Sequence, residues 1–490
     1  MSPLPRAATP FHPMNVRLSA RVLALAATLV LTACAVGPDY KTPDTPTQVN
    51  FHSAGALAAR QATTPVPPLD QWWSGFQDPV LTRIVQRALG QNLDLETSRA
   101  RVAQARAMAR QAGAVLYPEG RLGADVSRQR QSVESPLGKL GSALPGYERN
   151  RTVYDVGAAA SWEIDVAGGL RRGAEAATAD AGAAEAEHAG VQVTVAAEAA
   201  DAYFRIRGAQ RRIVIAEDQI RTDGRLLELV RTRQRDGLSA TREVAQAEAL
   251  VAQARTTLPP LRIELQTQLN RLDVLMGATP GTYAAELAAV SGDPAVPAIS
   301  LAGGPSALLR RRPDVIAAER RLAASNARIG VALAEYYPKV SLSALLGFES
   351  LSTSQLLTAR AFQPSAAAGL RWRLFDFGRV DAEVDQAHGA HAQALAQYRL
   401  AMLRATEDVE NAIVTLAELE VQSGSLATEV DAHRRARTAS EDAYKGGAVS
   451  LYEVLDEDRQ LLASRDQQAR VATDNARAAV AAYRALGGGW

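Results

Sequence analysis

The most regular pattern in the chain is strict alternation. Val340, Leu342, Ala344, Leu346 and Phe348 alternate with Ser341, Ser343, Leu345, Gly347 and Glu349. Phe362, Ala366, Ala368, Leu370, Trp372 and Leu374 share one parity, and Gln363, Ser365, Gly369, Arg371 and Arg373 take the other. Upstream, Tyr154, Val156, Ala158, Ala160 and Trp162 alternate with Asp155, Gly157, Ser161 and Glu163. A period of two marks a strand with one apolar and one polar face. The pattern predicts strands over 118–130, 152–166, 338–350 and 362–374. Each is longer than the roughly 9–11 residues that a membrane strand needs. Taken alone, they read either as the wall of a transmembrane β-barrel or as a soluble sheet with one wet face.

Long helical stretches follow each strand pair. Residues 169–236 and 379–446 hold no proline and are rich in alanine, a strong helix former. At 1.5 Å per residue each rod is roughly 100 Å long. Shorter helices are expected over 79–116 and 239–276, and over 305–336 and 451–486; each such pair, end to end, matches one long rod. Gly237, and Gly446 with Gly447, separate the long helices from the returning ones and supply the left-handed backbone that a helix end favours. Pro259-Pro260 predicts a kink in the first returning helix. Rods of this length suit spanning a compartment better than enclosing a globular core.

The landmarks repeat. Trp162 and Gly168 recur as Trp372 and Gly378, both shifted by 210 positions. Gly237 and Glu243-Val244 recur as Gly447 and Glu453-Val454 at the same shift. Asp94 and Tyr117-Pro118 recur as Asp314 and Tyr337-Pro338, shifted by 220. Coherent offsets argue for an internal duplication, with one longer loop between the strands of the first copy. The chain therefore divides into a first repeat, 79–276, a connector, 277–304, which the family resemblance described below makes an equatorial region, and a second repeat, 305–490. Four strands cannot close a barrel, and an open sheet in lipid would leave edge N–H and C=O groups unpaired. A membrane reading thus requires several chains, with three as the smallest convenient number.

Composition narrows the alternatives. The 490 residues are 47% hydrophobic and 22% charged, with a net charge of +1, so nothing electrostatic points to nucleic acid. One cysteine, Cys34, makes neither an internal disulfide nor a multi-thiolate metal site. It follows Arg17, Arg21 and an apolar run from Val22 to Ala33, too short to cross a bilayer and suited to a signal peptide over 1–33. Leu31-Thr32-Ala33-Cys34 resembles a bacterial lipobox, which makes Cys34 the expected lipidation site and residues 34–78 a lipid-anchored tether. Ala35, where aspartate would signal inner-membrane retention, favours the outer membrane by the same resemblance. No Walker A loop, G-x-S-x-G elbow or H-E-x-x-H motif is present. No enzyme activity, cofactor or metal is expected. His388 and His391, one helical turn apart, read as a solvated face. Glu163 and Asp165 read as lumen-lining strand residues rather than a glycosidase pair.

Val36-Gly37-Pro38-Asp39-Tyr40, Trp72-Trp73, Trp162…Gly168, Trp372…Phe375-Asp376-Phe377-Gly378-Arg379 and the terminal Ala485-Leu486-Gly487-Gly488-Gly489-Trp490 carry a resemblance over essentially the whole mature chain. The sequence is similar to the outer-membrane efflux channels, the TolC-like family, in its OprM-like lipoprotein branch. That resemblance implies a mostly α-helical protein with a transmembrane β-barrel. It implies a homotrimer forming a 12-stranded barrel in the outer membrane and a 12-helix barrel across the periplasm. Its implied partners are outer-membrane lipid, a periplasmic adaptor and an inner-membrane pump of the RND type. It also implies a periplasmic gate at the glycine turns. Asp456 matches an acidic ring at the constriction and Glu453 a second acidic position. Tyr444 and Glu243 match partners of hydrogen bonds that hold the closed state. Val449 departs from members that carry an arginine there. On their own spacing, Asp456 and Glu453 read equally as carboxylates capping a helix turn. The expected function is a passive duct exporting small molecules. The alternatives are a duct for type I protein secretion and a periplasmic coiled-coil rod without a pore.

Overall fold

The computed structural model describes residues 35–44, 50–58, 66–289, 295–301 and 304–490. The expected signal peptide and Cys34 lie outside the described residues, as do parts of the tether and connector. The main elements, in chain order, are α1 (Pro79–Gln91), α2 (Leu93–Ala114), β1 (Glu119–Arg130), β2 (Asn150–Ile164), α4 (Gly169–Arg235) after the short helix α3 (Pro136–Ser142), α5 (Thr241–Thr256), α6 (Leu258–Leu275), α7 (Pro313–Ala334), β3 (Lys339–Ser350), β4 (Phe362–Arg371), α8 (Arg379–Lys445) and α9 (Leu451–Ala485). The two long helices have 67 residues each. The described residues form two compact units, one drawn from within 1–41, 106–180 and 322–394, the other from within 42–105, 181–321 and 395–490.

The first unit contains the sheet. Its strands are antiparallel in the order β1-β2-β3-β4, so the two hairpins join through β2 and β3. The register carries each parity across all four strands. Leu122, Ala158, Leu346 and Pro364 form one row; Ala124, Val156, Phe348 and Phe362 form the next, with the two phenylalanine rings 5.5 Å apart. All are even-numbered and lie on one face. The odd face carries Arg121, Asp125, Asp155, Glu163, Ser341, Ser343, Glu349, Gln363, Ser365 and Arg371. Leu122, Leu346 and Leu370 are largely exposed, and among the described residues β1 and β4 pair with no further strand.

Each hairpin is bracketed to its preceding helix in the same way. Trp162 Nε1 donates to the Leu116 carbonyl at 3.0 Å, and Trp372 Nε1 to the Tyr336 carbonyl at 2.9 Å. The first bracket also receives the N-terminal segment, for which the second has no equivalent. Val36 N–H donates to the Ala167 carbonyl at 2.9 Å. The buried Arg172 guanidinium donates to the Val36 carbonyl at 3.2 Å, to the Gly37 carbonyl at 3.2 Å and to Asp39 at 2.7 Å. Asn326 Nδ2 donates to the Pro38 carbonyl at 2.8 Å. Gly37 (φ 93°) lies so close to Gly330 that a Cβ on Gly37 would come 2.6 Å from the Gly330 Cα. This strap ties the end of β2 to α7, the helix that leads into β3.

The second unit is helical. Trp72, Trp73, Phe76, Tyr203, Phe204 and Tyr483 form its aromatic core, with Trp72 stacked on Tyr483 at 5.5 Å. The helix expected over 79–116 is divided at Asn92. Its side-chain carbonyl accepts the Asp94 and Leu95 N–H groups at 2.9 and 3.1 Å, and its amide donates to the Leu275 carbonyl at 3.0 Å. The returning helix is interrupted at the single residue Thr257, and Pro259 and Pro260 fall in the first turn of α6, where proline's missing N–H costs nothing. Among the described residues no helix is long and apolar enough to cross a membrane.

Two variants test this fold. Asp78 caps α1, accepting from the Val80 and Leu81 N–H groups at 2.8 and 3.2 Å and from the Tyr203 hydroxyl. Asp78→Ala removes the cap and orphans a buried hydroxyl, so urea unfolding in detergent should show a loss of roughly 2–3 kcal/mol, while Asp78→Asn keeps most of it. Arg172→Ala should free the strap: hydrogen exchange at the Val36 amide is expected to rise about thirtyfold, the equivalent of about 2 kcal/mol.

Candidate functional site

The residues that the sequence nominates for the gate fall in the helical unit, around two turns of one design. Gly237 (φ 74°) ends the turn after α4, with Gly237 N–H donating to the Gln234 carbonyl at 3.0 Å and Leu238 N–H to the Arg233 carbonyl at 2.7 Å. Gly447 (φ 77°) ends the turn after α8 with the same pair of bonds, to Tyr444 at 3.0 Å and Ala443 at 2.9 Å. A side chain on either glycine would meet nothing, so the left-handed backbone alone requires them. Gly446 does not take a positive φ.

The two turns share one apolar cluster: Leu226, Leu227 and Val230 from α4, Ala247 and Val251 from α5, Tyr444 from α8, and Leu451, Val454 and Leu455 from α9. Tyr444 is 4% exposed. Its ring lies under the Arg233 guanidinium at 4.7 Å, and its hydroxyl has no partner among the described residues. Glu243 is engaged at the start of its own helix, accepting from the Ala240 N–H at 3.3 Å and from the Ser239 hydroxyl. Within the chain, Tyr444 and Glu243 are thus not hydrogen-bonded to one another. Glu453 occupies the equivalent cap, accepting from Ser450 N–H and Oγ, both at 3.4 Å. Asp456 is half-buried and accepts from Arg459 at 3.2 Å and Gln460 Nε2 at 2.7 Å, on its own helix.

The other nominated carboxylates separate. Asp165 lies beyond β2 and is a helix cap rather than a strand residue: it accepts from the Leu170 and Arg171 N–H groups at 3.0 and 2.9 Å. Glu163 remains on the sheet opposite Ser341. His391 Nδ1 meets Ser325 Oγ at 3.2 Å. No group of three or more metal-ligating side chains occurs among the described residues.

Two constellations escaped the sequence pattern. On the polar face of the sheet, Asp125, Asp155 and Glu349 stand side by side on three adjacent strands. Like charges directly opposed are destabilising, so the row needs water beside it. In the helical unit, Asp223 on α4 and Asp458 on α9 are each 1% exposed. Gln219 Nε2 donates to Asp223 Oδ1 at 2.7 Å, and Arg437 Nε to Asp458 Oδ1 at 2.8 Å. Burial, and then the Asp458 charge, push the Asp223 carboxyl up to about 7. One signal was available: Asp458 falls in the stripe Leu451, Val454, Leu455, Leu461, where helical spacing calls for an apolar residue.

Comparison with known proteins places this architecture. The profile of the family described as outer membrane efflux protein matches residues 84–278 and 304–488, one match on each repeat. The pyoverdine export outer membrane protein OpmQ of Pseudomonas putida is 34% identical over 462 residues, 94% of this chain and 96% of its own. The toluene efflux pump outer membrane protein TtgF of the same species is 27% identical over 475 residues, covering 96% of each chain. Among solved structures, the outer-membrane channel OprN superposes with a TM-score of 0.82 at 34% identity, over 93% of this chain and all of that one. CusC superposes at 0.79 with 25% identity, again over 93% of this chain. With both repeats matched and relatives aligned nearly end to end, the chain belongs to the outer membrane efflux protein family, a family of channels rather than of enzymes.

Proposed function

We propose that three copies of this chain form the passive outer-membrane duct of a tripartite efflux system, carrying small organic molecules from a periplasmic adaptor and an RND-type inner-membrane pump to the exterior. The observation that carries this reading is the sheet: one face apolar and exposed, the other polar, and both outer strands without a further partner among the described residues. In lipid every backbone polar group must be paired. Three sheets of four strands, joined β4 to β1, give twelve strands with no edge left. The even face would then meet lipid, and the odd face, with its acidic row, would line the lumen. Relatives named for pyoverdine export and toluene efflux support small organic cargo over a secreted protein.

The strap supports the lipid anchor. Residue 35 lies against the Gly168 turn at the strand–helix junction, and residues 36–39 are held by Arg172 and Asn326, so an acylated Cys34 would enter the membrane beside the chain's own sheet. The glycine turns are the proposed closed end. There Asp456 and Glu453, repeated by threefold symmetry, would concentrate negative potential around one axis. Tyr444 and Glu243 would contribute by shaping the turns: Tyr444 through Arg233, and Glu243 through its cap.

Protein solubilised in detergent should have the mass of three chains by light scattering; a monodisperse monomer with its strands formed would contradict the edge argument. In planar bilayers the resting channel should conduct weakly and prefer cations. Asp456→Asn with Glu453→Gln keeps the capping geometry and removes the charge, so the cation-to-anion permeability ratio should fall. An unchanged ratio would leave Glu453 as a helix cap and Asp456 as a partner of Arg459 on its own helix. Tyr444→Phe deletes a hydroxyl without a partner and should change stability by under about 1 kcal/mol, whereas Tyr444→Ala, which empties the site beneath Arg233, should cost roughly 3–5 kcal/mol in thermal or urea unfolding.

A further inference from the structure

The proposed duct and gate make no use of the buried Asp223 and Asp458, whose bonding is incomplete. Each carboxylate has one satisfied oxygen. The other, Oδ2 in both, is buried with no partner among the described residues. A buried carboxylate oxygen without a donor is costly, and here two occur on helices of different repeats. The neighbours do not balance them. From α4, Gln219 brings a neutral amide, and Arg225 is exposed. From α8, Arg437 binds Asp458 but also Glu441, which is shared in turn with Lys445. On the same α8–α9 seam, His433 and Glu457 pair at 3.2 Å, and along α9 Asp456 pairs with Arg459. Asp223 is left as a buried carboxylate with no cation of its own. A divalent ion is a poor remedy, since two free oxygens fall far short of the six or more ligands it takes.

We infer that Asp223 carries a buried proton in the seam between α4 of the first repeat and α9 of the second, where Asp458 stays ionised against Arg437, and that this proton fastens the two helices. With Asp223 protonated its hydroxyl supplies a donor, the two carboxyls carry one negative charge, and Arg437 neutralises it. With both ionised, a second charge sits in an apolar seam and the helices are held less firmly. Asp223 binds its proton more tightly in the packed seam than in an opened one. The packed state therefore takes up a proton between about pH 4 and about pH 7, and the fastening weakens as pH rises across that window. Acidification tightens this end of the helical unit, and mild alkali loosens it. Nothing in this requires Asp456 or Glu453 to form a gate.

The test uses the full-length protein in detergent. Infrared difference spectra between pH 6 and pH 8.5 should show the carbonyl stretch of a protonated buried carboxylic acid at the lower pH and its loss at the higher. The band should vanish in Asp223→Asn and shift in Asp458→Asn. Hydrogen exchange of the α9 amides near 454–462, corrected for intrinsic rates, should be about tenfold faster at pH 8 than at pH 6 in the wild type and independent of pH in Asp223→Asn. A wild type without the band at pH 6, or a band that persists in Asp223→Asn, places the proton elsewhere and overturns the proposal. So does protection in Asp223→Asn that still depends on pH. A band abolished at pH 6 by added calcium would show a metal-ion site in its place.

Discussion

Everything distinctive about this chain follows from the demand that backbone N–H and C=O groups find partners where water cannot serve them. Inside the helices the demand is met locally, residue by residue. In the sheet it is met between strands, and among the described residues β1 and β4 are left with one side of each unpaired. A soluble protein would blunt such edges with charge, proline or a covering loop. Here β4 holds a single proline, Pro364, and its rows remain flat and small, Ala366, Ala367 and Ala368 among them. In the proposed trimer these edges are continued by a neighbouring chain's strands, with no change of sequence.

Duplication joins two hairpins into one four-stranded sheet within a single polypeptide. The second hairpin pairs with the first along β2 and β3, and the tryptophan brackets and glycine turns recur with the same hydrogen bonds. The repeats nonetheless differ where one of them meets something the other does not. Arg172 has Ala382 at the shifted position, and Gly330 has Arg110. Only the first repeat's bracket has a guanidinium free to grip the strap, and only α7 has the glycine that lets the strap lie against it. The N-terminal segment thus removes the pseudo-symmetry of the chain at one place.

The elements with a clean period were legible in the sequence: the alternating strands, the proline-free long helices and the glycine turns. Alternation also told which residues share a face. It could not tell which strand lies beside which, so the row Asp125, Asp155, Glu349 emerged only with the register. The division at Asn92 was hidden because asparagine is tolerable inside a helix, and only its bond to the Leu275 carbonyl shows why the chain turns there. For the site, the sequence nominated positions but not their bonding. Tyr444 and Glu243 look like two halves of a bond, yet each is committed elsewhere within the chain, one beneath Arg233 and one at its own helix start. Asp223 and Asp458 are far apart in sequence, and only the packing of α4 and α9 into one cluster buries them both.

The two long helices have the same number of residues, and their ends are displaced by the same 210 positions as the turns that follow. One residue gained or lost in a helix advances everything beyond it by 1.5 Å and rotates it by roughly 100°. A lone insertion in α4 or α8 would swing one glycine turn away from the cluster it shares with the other. Changes of length in the helices must therefore arise in matched pairs, or not survive. The hairpin loops carry no such debt, and the one difference in length between the repeats, about ten residues, has accumulated between Pro118 and Trp162 in the first copy. In evolutionary terms the rods are a ruler copied as a unit, and the loops are where lineages remain free to differ.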